Sequence, residues 1–168
     1  MTGMERNSDI IIMSAYAPML VNVNPGGMQW ESDLIGYDTL NSYGSPSYYA
    51  QAMFASTVGT DIVDTKLEGG GPRFFYSVTK DPAKGSLIVK VVNGSSTAQP
   101  VEFKLEGASG VKSTAKVTSL TGNTTQETNS ITTPKKIVPV AGTIQGVAAN
   151  FKHVVPAYSI QVIEIATK

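Results

Sequence analysis

From residue 61 onward, apolar and polar residues alternate over short segments. In 101–106, three apolar residues alternate with three charged ones, which is typical of a strand with one buried face. Segment 87–92 is more apolar, which favours a central strand. The same kind of pattern, interrupted by Gly, Pro, Asn and Ser, predicts further strands at 74–78, 113–120, 137–140, 151–155 and 158–165. Several short strands at this spacing predict an antiparallel β-sandwich of jelly-roll type.

The last predicted strand, 158–165, changes phase along its length. Ile160 and Val162 share one face, whereas Ile163 and Ile165 share the other. A β-bulge would explain the change, because one extra residue reverses the faces that follow it. Helical periodicity is absent after residue 58, so the prediction for this part of the chain is all β.

The first third of the chain has a different pattern. Residues 9–17 form an apolar run of the length expected for a strand buried on both faces in a parallel sheet. Residues 20–24 continue this strand past Pro18. Ser45 and Pro46 then predict the start of a helix, with Ser45 as the N-cap and Pro46 at the first helical position. Strand, long loop and helix make one unit of a (β/α)8 barrel, so we expect the end of a barrel whose beginning lies outside this sequence.

Composition divides the chain at nearly the same place. Residues 1–60 contain all six Met, the only Trp and one basic residue against five acidic ones, whereas residues 61–168 contain twelve basic residues against eight acidic ones. The two parts therefore carry net charges of opposite sign. We predict a barrel remnant over 1–58, which is a strand–loop–helix unit, and a C-terminal β-sandwich domain over 59–168.

The composition of the whole chain limits its function. The 168 residues are 41% apolar and 15% charged, with zero net charge, one His and no Cys. Zero net charge argues against nucleic acid or an anionic membrane as the main partner, since both attract clustered positive charge. The absence of Cys excludes disulfides and thiolate metal sites. No apolar run reaches the ~20 residues needed to span a bilayer, no signal peptide is expected, and the compartment stays open.

The acidic residues are scattered and show no catalytic spacing. Glu5 lies in a polar helical run and is predicted to cap the helix or to form a salt bridge. Glu31 and Asp33 follow Trp30 and are predicted to be solvated. His153, the only histidine, is predicted to lie on the surface or at a sheet edge, and one histidine supports neither a catalytic triad nor a multi-histidine metal site. We therefore predict no catalytic residue, no metal and no cofactor within this sequence.

One group of residues suggests sugar binding. Asn22, Asn24, Gln29 and Trp30 follow the predicted buried strand, and the C-terminal ends of barrel strands form the face on which active sites are built. Amide groups hydrogen-bond to sugar hydroxyls, and aromatic rings pack on their C–H faces. The alternative is a hydrogen-bonded loop in which Trp30 covers the rim of the barrel.

The sequence contains, in this order, the segments MTGMERNSDI (1–10), AYAPMLVNVN (15–24), WESDLIGYD (30–38) and YGSPSYY (43–49). These resemble the closing segment of the catalytic barrel in family 51 α-L-arabinofuranosidases. The C-terminal β-domain of the same family is similar to four later segments, VTSLTG (117–122), ETNS (127–130), PKKIVP (134–139) and PAYS (156–159). The resemblance covers nearly the whole chain.

The resemblance implies a (β/α)8 catalytic barrel followed by a jelly-roll β-sandwich. It also implies retaining hydrolysis of terminal α-L-arabinofuranosyl groups of arabinan and arabinoxylan by two glutamates, without a metal. Those glutamates belong to earlier barrel strands outside this sequence, so neither Glu5 nor Glu31 takes a catalytic role. Asn22, Asn24 and Trp30 are the candidate substrate-binding residues at the barrel rim.

We therefore expect a C-terminal fragment of an arabinofuranosidase that is inactive alone and meets arabinofuranosyl-containing polysaccharide only as part of the whole enzyme. The alternatives are a free-standing carbohydrate-binding β-sandwich module and a structural domain that braces a barrel supplied elsewhere. An unpaired buried-type strand and an apolar helix face invite association. We expect a homo-oligomer with residues 10–23 and 46–54 in its interface.

Overall fold

The computed structural model describes residues 1–28, 30 and 33–167. Its elements in chain order are α1 (Thr2–Arg6), β1 (Leu20–Asn22), β2 (Ile35–Tyr37), β3 (Ser42–Gly44), α2 (Pro46–Ser56), β4 (Asp61–Ile62), β5 (Phe74–Asp81), β6 (Ser86–Asn93), β7 (Gln99–Lys104), β8 (Thr114–Thr121), β9 (Val140–Gln145), β10 (Asn150–Val155) and β11 (Ser159–Ala166). The fold is mainly β, as predicted.

The largest element is a six-stranded antiparallel sheet with the strand order β4-β5-β6-β11-β8-β9. Strands β10 and β7 pair with each other in a second, two-stranded sheet. The main core includes buried residues of both sheets, among them Val89, Phe151, Val155 and Ile163. The predicted antiparallel β-sandwich is therefore confirmed.

Strand β11 lies at the centre of the large sheet, and its alternating pattern has a simple cause. It pairs without interruption with β6 on one side and with β8 on the other, so the β-bulge suggested by the sequence is wrong. Ile163 and Ile165 belong to the main core, whereas Val162 belongs to a second core on the opposite face of the sheet. Apolar residues of both phases are needed because both faces of this strand are covered.

Helix α2 covers the outer face of the large sheet. Its N-terminus matches the prediction, because the Ser45 hydroxyl accepts a hydrogen bond from the Tyr48 backbone N–H and Pro46 occupies the first turn. Met53 and Phe54 are each only 4% exposed, and Met53 packs in the second core with Val162. The expectation that the apolar face of this helix is open to water is therefore wrong for Met53 and Phe54.

The predicted strand over residues 9–17 does not form. Strand β1 begins only at Leu20 and pairs in parallel with β2, at one edge of a three-stranded sheet. A strand buried on both faces needs neighbours on both edges and cover on both faces, and within the described residues β1 has a neighbour on one edge only. The side chains of 10–17 are exposed instead, with Ile12 at 96% and Met13 at 87%.

The strand predicted at 137–140 begins later, as β9, at Val140. Ile137 is buried, but its backbone N–H donates to the side-chain oxygen of Asn129 at 2.7 Å rather than to a neighbouring strand. Its apolar side chain belongs to the second core. The apolar pattern therefore predicts the burial of Ile137 correctly, but its prediction of a strand at this residue is wrong.

Candidate functional site

The two asparagines of the predicted sugar site lie together at the end of β1. The side-chain oxygen of Asn22 accepts hydrogen bonds from the backbone N–H of Asn24 at 3.0 Å and from its side-chain amide at 2.9 Å. The chain then turns tightly, since a Cβ added to Gly27 would lie 2.8 Å from the carbonyl oxygen of Asn22. The Asn22 oxygen is therefore occupied within the loop, which is what the predicted alternative of a hydrogen-bonded loop requires.

Asn24 and Trp30 are exposed, and the indole of Trp30 is 62% accessible. An exposed amide and an exposed indole are groups that can contact a sugar. Gln29 and Glu31 lie outside the described residues. A substrate-binding role for Asn22, Asn24 and Trp30 stays a prediction.

Asp33 does not lie in water, contrary to the sequence-based expectation. It is 6% exposed, and its Oδ1 atom is buried without a hydrogen-bond partner among the described residues. The residues that follow it explain the burial: Leu34 is 9% exposed and Ile35 opens strand β2, so the chain is already turning inward at Asp33. The two apolar residues Leu34 and Ile35 are the feature of the sequence that indicates this burial.

Glu5 forms the predicted salt bridge, and its partner is a residue that sequence reasoning missed. The carboxylate pairs with Lys90, whose side chain is only 1% exposed at the middle of β6. It also accepts a hydrogen bond of 2.5 Å from the Ser77 hydroxyl. The Lys90 ammonium donates to the carbonyl oxygen of Phe54 at 3.0 Å and lies 4.7 Å from the centre of the Phe54 ring. This buried network ties α1 and α2 to the sheet.

His153 is half-buried on an edge strand, since β10 has a neighbour on one side only among the described residues, which matches the sheet-edge alternative of the prediction. It lies on β10, and its Nε2 atom is 2.9 Å from the side-chain oxygen of Gln161 on β11. The Gln161 amide in turn donates to the Ser119 hydroxyl at 2.9 Å. The histidine therefore links the two sheets of the sandwich, which is a structural role.

The loop from 122 to 137 is held by polar contacts. Hydrogen bonds from the backbone N–H of Asn123 (2.6 Å), from Lys136 (3.0 Å) and from the Asn123 amide hold the pKa of the Glu127 carboxyl below its usual value. Farther along, the Asn129 amide donates to the carbonyl oxygens of Gly44 and Ile137, each at 2.8 Å. The loop is thus fixed against the junction of β3 and α2.

We expect Glu127→Gln to lower Tm at pH 7, because the ionised carboxylate is the form that these donors stabilise. A carboxyl whose pKa is lowered by folding contributes stability above its unfolded-state pKa, and this contribution is lost as the pH falls through the folded-state pKa. The Tm difference between the two proteins should therefore shrink when the pH drops below about 4.3, the usual pKa of a glutamate. Thermal unfolding from pH 7 to pH 3 measures it. Glu106→Gln, at an exposed turn position, is the control, and a Tm difference for Glu127→Gln that grows on acidification would contradict the expectation.

Within the described residues, no three His, Cys, Asp or Glu side chains are grouped as a metal site requires. Neither described helix has the length and apolar character needed to cross a membrane.

The chain is similar to arabinofuranosidases along nearly all of its length. Alpha-L-arabinofuranosidase A of Aspergillus kawachii is 34% identical over 166 residues, which are 97% of this chain and 25% of that protein. Alpha-L-arabinofuranosidase 1 of Arabidopsis thaliana is 28% identical over 172 residues, which are 97% of this chain and 24% of that protein. The chain therefore spans about a quarter of the length of these curated relatives.

Solved structures agree in fold. The arabinose-bound α-L-arabinofuranosidase MgGH51 superposes with a TM-score of 0.90 at 36% identity, over 99% of this chain and 26% of that one. The arabinose complex of the Thermotoga maritima enzyme gives a TM-score of 0.81 at 21% identity, over 99% of this chain and 36% of that one.

A six-stranded antiparallel sheet with two smaller sheets and two short helices is thus the architecture of the C-terminal region of a glycoside hydrolase. The chain belongs to the α-L-arabinofuranosidase C-terminal domain family, whose model matches residues 1–159. The resemblance found in the sequence is confirmed.

Proposed function

We propose that this chain acts as the C-terminal part of an α-L-arabinofuranosidase that removes arabinofuranosyl groups from plant polysaccharides, and that it does not hydrolyse glycosides alone. In this proposal residues 1–58 are the last strand–loop–helix of the catalytic barrel, and residues 59–168 are the C-terminal sandwich. Asn22, Asn24 and Trp30 lie at the rim of the sugar site. The family match and the similarity to arabinose-bound enzymes support this assignment.

The observation that carries the proposal is an exposed N-terminal apolar strip, formed by Ile10, Ile12, Met13 and Leu20. Their exposed fractions are 74%, 96%, 87% and 57%. Several large apolar side chains exposed within a short segment are unusual in a soluble protein and mark a contact site. The neighbouring strands and helices of a complete barrel would cover the strip, because a barrel strand is buried on both faces.

Three of the described carboxylates are engaged in salt bridges with lysines. Retaining hydrolysis needs two carboxyl groups about 5–5.5 Å apart on either side of the glycosidic bond. Glu5 is bound to Lys90, Glu127 to Lys136, and Asp81 to Lys84. These acids serve the structure, which is consistent with catalytic groups supplied by another part of the enzyme.

The first test compares this chain with a chimera. The chimera joins the first three quarters of the A. kawachii enzyme to this chain in place of its own last quarter. We expect release of p-nitrophenol from p-nitrophenyl α-L-arabinofuranoside by the chimera and none by the isolated chain. Turnover by the isolated chain that disappears when one glutamate is replaced would overturn the proposal, as would a folded chimera without activity.

Paired variants of the chimera test the apolar strip. Ile12→Asp places a charge in the strip and should lower activity and Tm together, since a carboxylate would be buried in the barrel. Val140→Asp makes the same kind of change at a 63% exposed position of the sandwich and should leave both nearly unchanged. Equal behaviour of the two variants would show that the strip is not covered.

We also propose that the isolated chain self-associates through this strip, most simply as a two-fold dimer. Met53 and Phe54 contribute nothing to such an interface, because both are buried within the chain. Light scattering at micromolar concentration should give the mass of a dimer, and that of a monomer for Ile12→Asp. A monomer for the unaltered chain would refute self-association.

A further inference from the structure

A small cavity of about 260 Å³ lies between β3, the start of α2 and the loop from 122 to 137. Three tyrosines, Tyr43, Tyr48 and Tyr49, line it from one side, and Pro134 and Lys135 line it from the other. The cavity therefore joins the proposed barrel segment to a loop of the sandwich. Tyr48 and Tyr49 lie edge to face, with their ring centres 5.2 Å apart.

Two glycines give the tyrosine rings their positions. A Cβ added to Gly36 would lie 2.4 Å from the ring of Tyr43, and one added to Gly44 would lie 2.5 Å from the ring of Tyr48. Each ring therefore lies directly on the backbone of the three-stranded sheet formed by β1, β2 and β3. Rings seated in this way lose little further freedom when they bind a ligand, which reduces the entropic cost of binding.

The far wall of the cavity is fixed to the near wall. Asn129 is 1% exposed, and its amide donates to the carbonyl oxygen of Gly44 on β3 and to that of Ile137 at the end of the loop. Pro134 and Lys135 lie within this loop, so they are held opposite the tyrosines before any ligand arrives.

The lining suits a sugar. Aromatic rings pack on the C–H faces of a sugar, and phenol and ammonium groups hydrogen-bond to its hydroxyls. The volume is below the range of about 300–1,000 Å³ that is typical of sites for drug-sized ligands, which suits a single sugar residue. The described lining contains no acidic side chain, and Lys135 is exposed.

We propose that this tyrosine cavity binds one sugar residue of a polysaccharide chain, as a subsite separate from the predicted site at Asn22, Asn24 and Trp30. The choice of an arabinose-containing polymer as the ligand rests on the proposed function. Sugar binding itself does not, because its support is the lining of the cavity. Such a subsite would hold the polymer near the enzyme between cleavage events.

The test is titration of the isolated chain with α-1,5-linked arabinopentaose, and separately with xylopentaose, followed by calorimetry and by NMR. We expect binding, with the largest NMR shifts at the tyrosine cavity. Tyr48→Ala should weaken binding about tenfold by removing one stacking surface. Phe75→Ala is the matched control, because Phe75 is also an exposed aromatic residue (48%), lies on β5 and does not line the cavity.

Lys135→Ala provides a second variant, since an exposed loop lysine can be replaced without loss of the fold. It should weaken binding severalfold, whereas Lys152→Ala, at an exposed position of β10, should not. Failure of both sugars to bind at millimolar concentration would overturn the cavity proposal, as would equal effects of Tyr48→Ala and Phe75→Ala. Neither outcome would change the hydrolysis expected of the chimera, so failure of this proposal is distinguishable from failure of the proposed function.

Discussion

Replacing Glu5 by Leu should lower the free energy of unfolding by about 3–5 kcal/mol, the cost of leaving a buried charge without its partner. The carboxylate of Glu5 neutralises Lys90, whose side chain is 1% exposed. Without the Glu5 carboxylate, the Lys90 ammonium would still contact the carbonyl oxygen and the ring of Phe54. It would, however, lose the negative charge that balances its own. Chemical denaturation of the single variant measures the loss.

A double variant separates the missing charge from the missing contacts. Glu5→Leu together with Lys90→Met removes both charges, and apolar replacement of a buried ion pair is often neutral or stabilising. It should therefore recover most of the stability. Glu68→Leu is the matched control, because Glu68 pairs with Lys66 at the surface, where the two side chains are 78% and 83% exposed, and such pairs contribute little. A double variant as unstable as Glu5→Leu would contradict this account.

The parts of the fold that were predicted correctly depend on neighbours in the sequence. The start of α2 follows from Ser45 and Pro46, because an N-cap hydroxyl and a proline in the first turn act within one turn of helix. The long strands of the sandwich follow from local alternation. Central strand β11 was found for the same reason, although its two phases reflect cover on both faces of the sheet rather than a bulge.

The parts that were missed depend on distant partners. The apolar run 9–17 resembles a buried strand, because its composition fits a position inside a barrel. The strands and helices that would cover such a strand are not among the described residues. Lys90 meets Glu5 across 85 positions of sequence, and Asn129 meets Gly44 across 85 positions as well. No local sequence pattern predicts either contact.

The candidate site likewise has a part that the sequence predicts and a part that depends on distant residues. The sequence places Asn22 and Asn24 together, and the structure joins them by hydrogen bonds. The tyrosine cavity was not predicted, although Tyr43, Tyr48 and Tyr49 are close in sequence. Its second wall is formed by residues 134 and 135, and only the folded loop brings them opposite the rings.

The second large effect on stability is expected at helix α2, because this helix packs the proposed barrel segment against the sandwich. Met53→Ala should lower the free energy of unfolding by about 2–5 kcal/mol, the range for removing a long apolar side chain from a packed core. Met53 is 4% exposed and packs with Ile88, Leu120 and Val162 from three strands of the large sheet. No smaller side chain at this position can fill the space between the helix and the sheet.

The matched control is Met28→Ala, the same chemical change at a residue that is 46% exposed and lies outside the apolar strip, and it should alter stability by less than about 0.5 kcal/mol. Hydrogen exchange adds a local measurement. In the unaltered chain the amides of α2 should exchange with the large sheet as one cooperative unit, since they share a core. In Met53→Ala they should exchange earlier, and binding at the tyrosine cavity should weaken with them, because Tyr48 and Tyr49 belong to this helix. Equal stability losses in Met53→Ala and Met28→Ala would show that α2 is not anchored to the sandwich by this core.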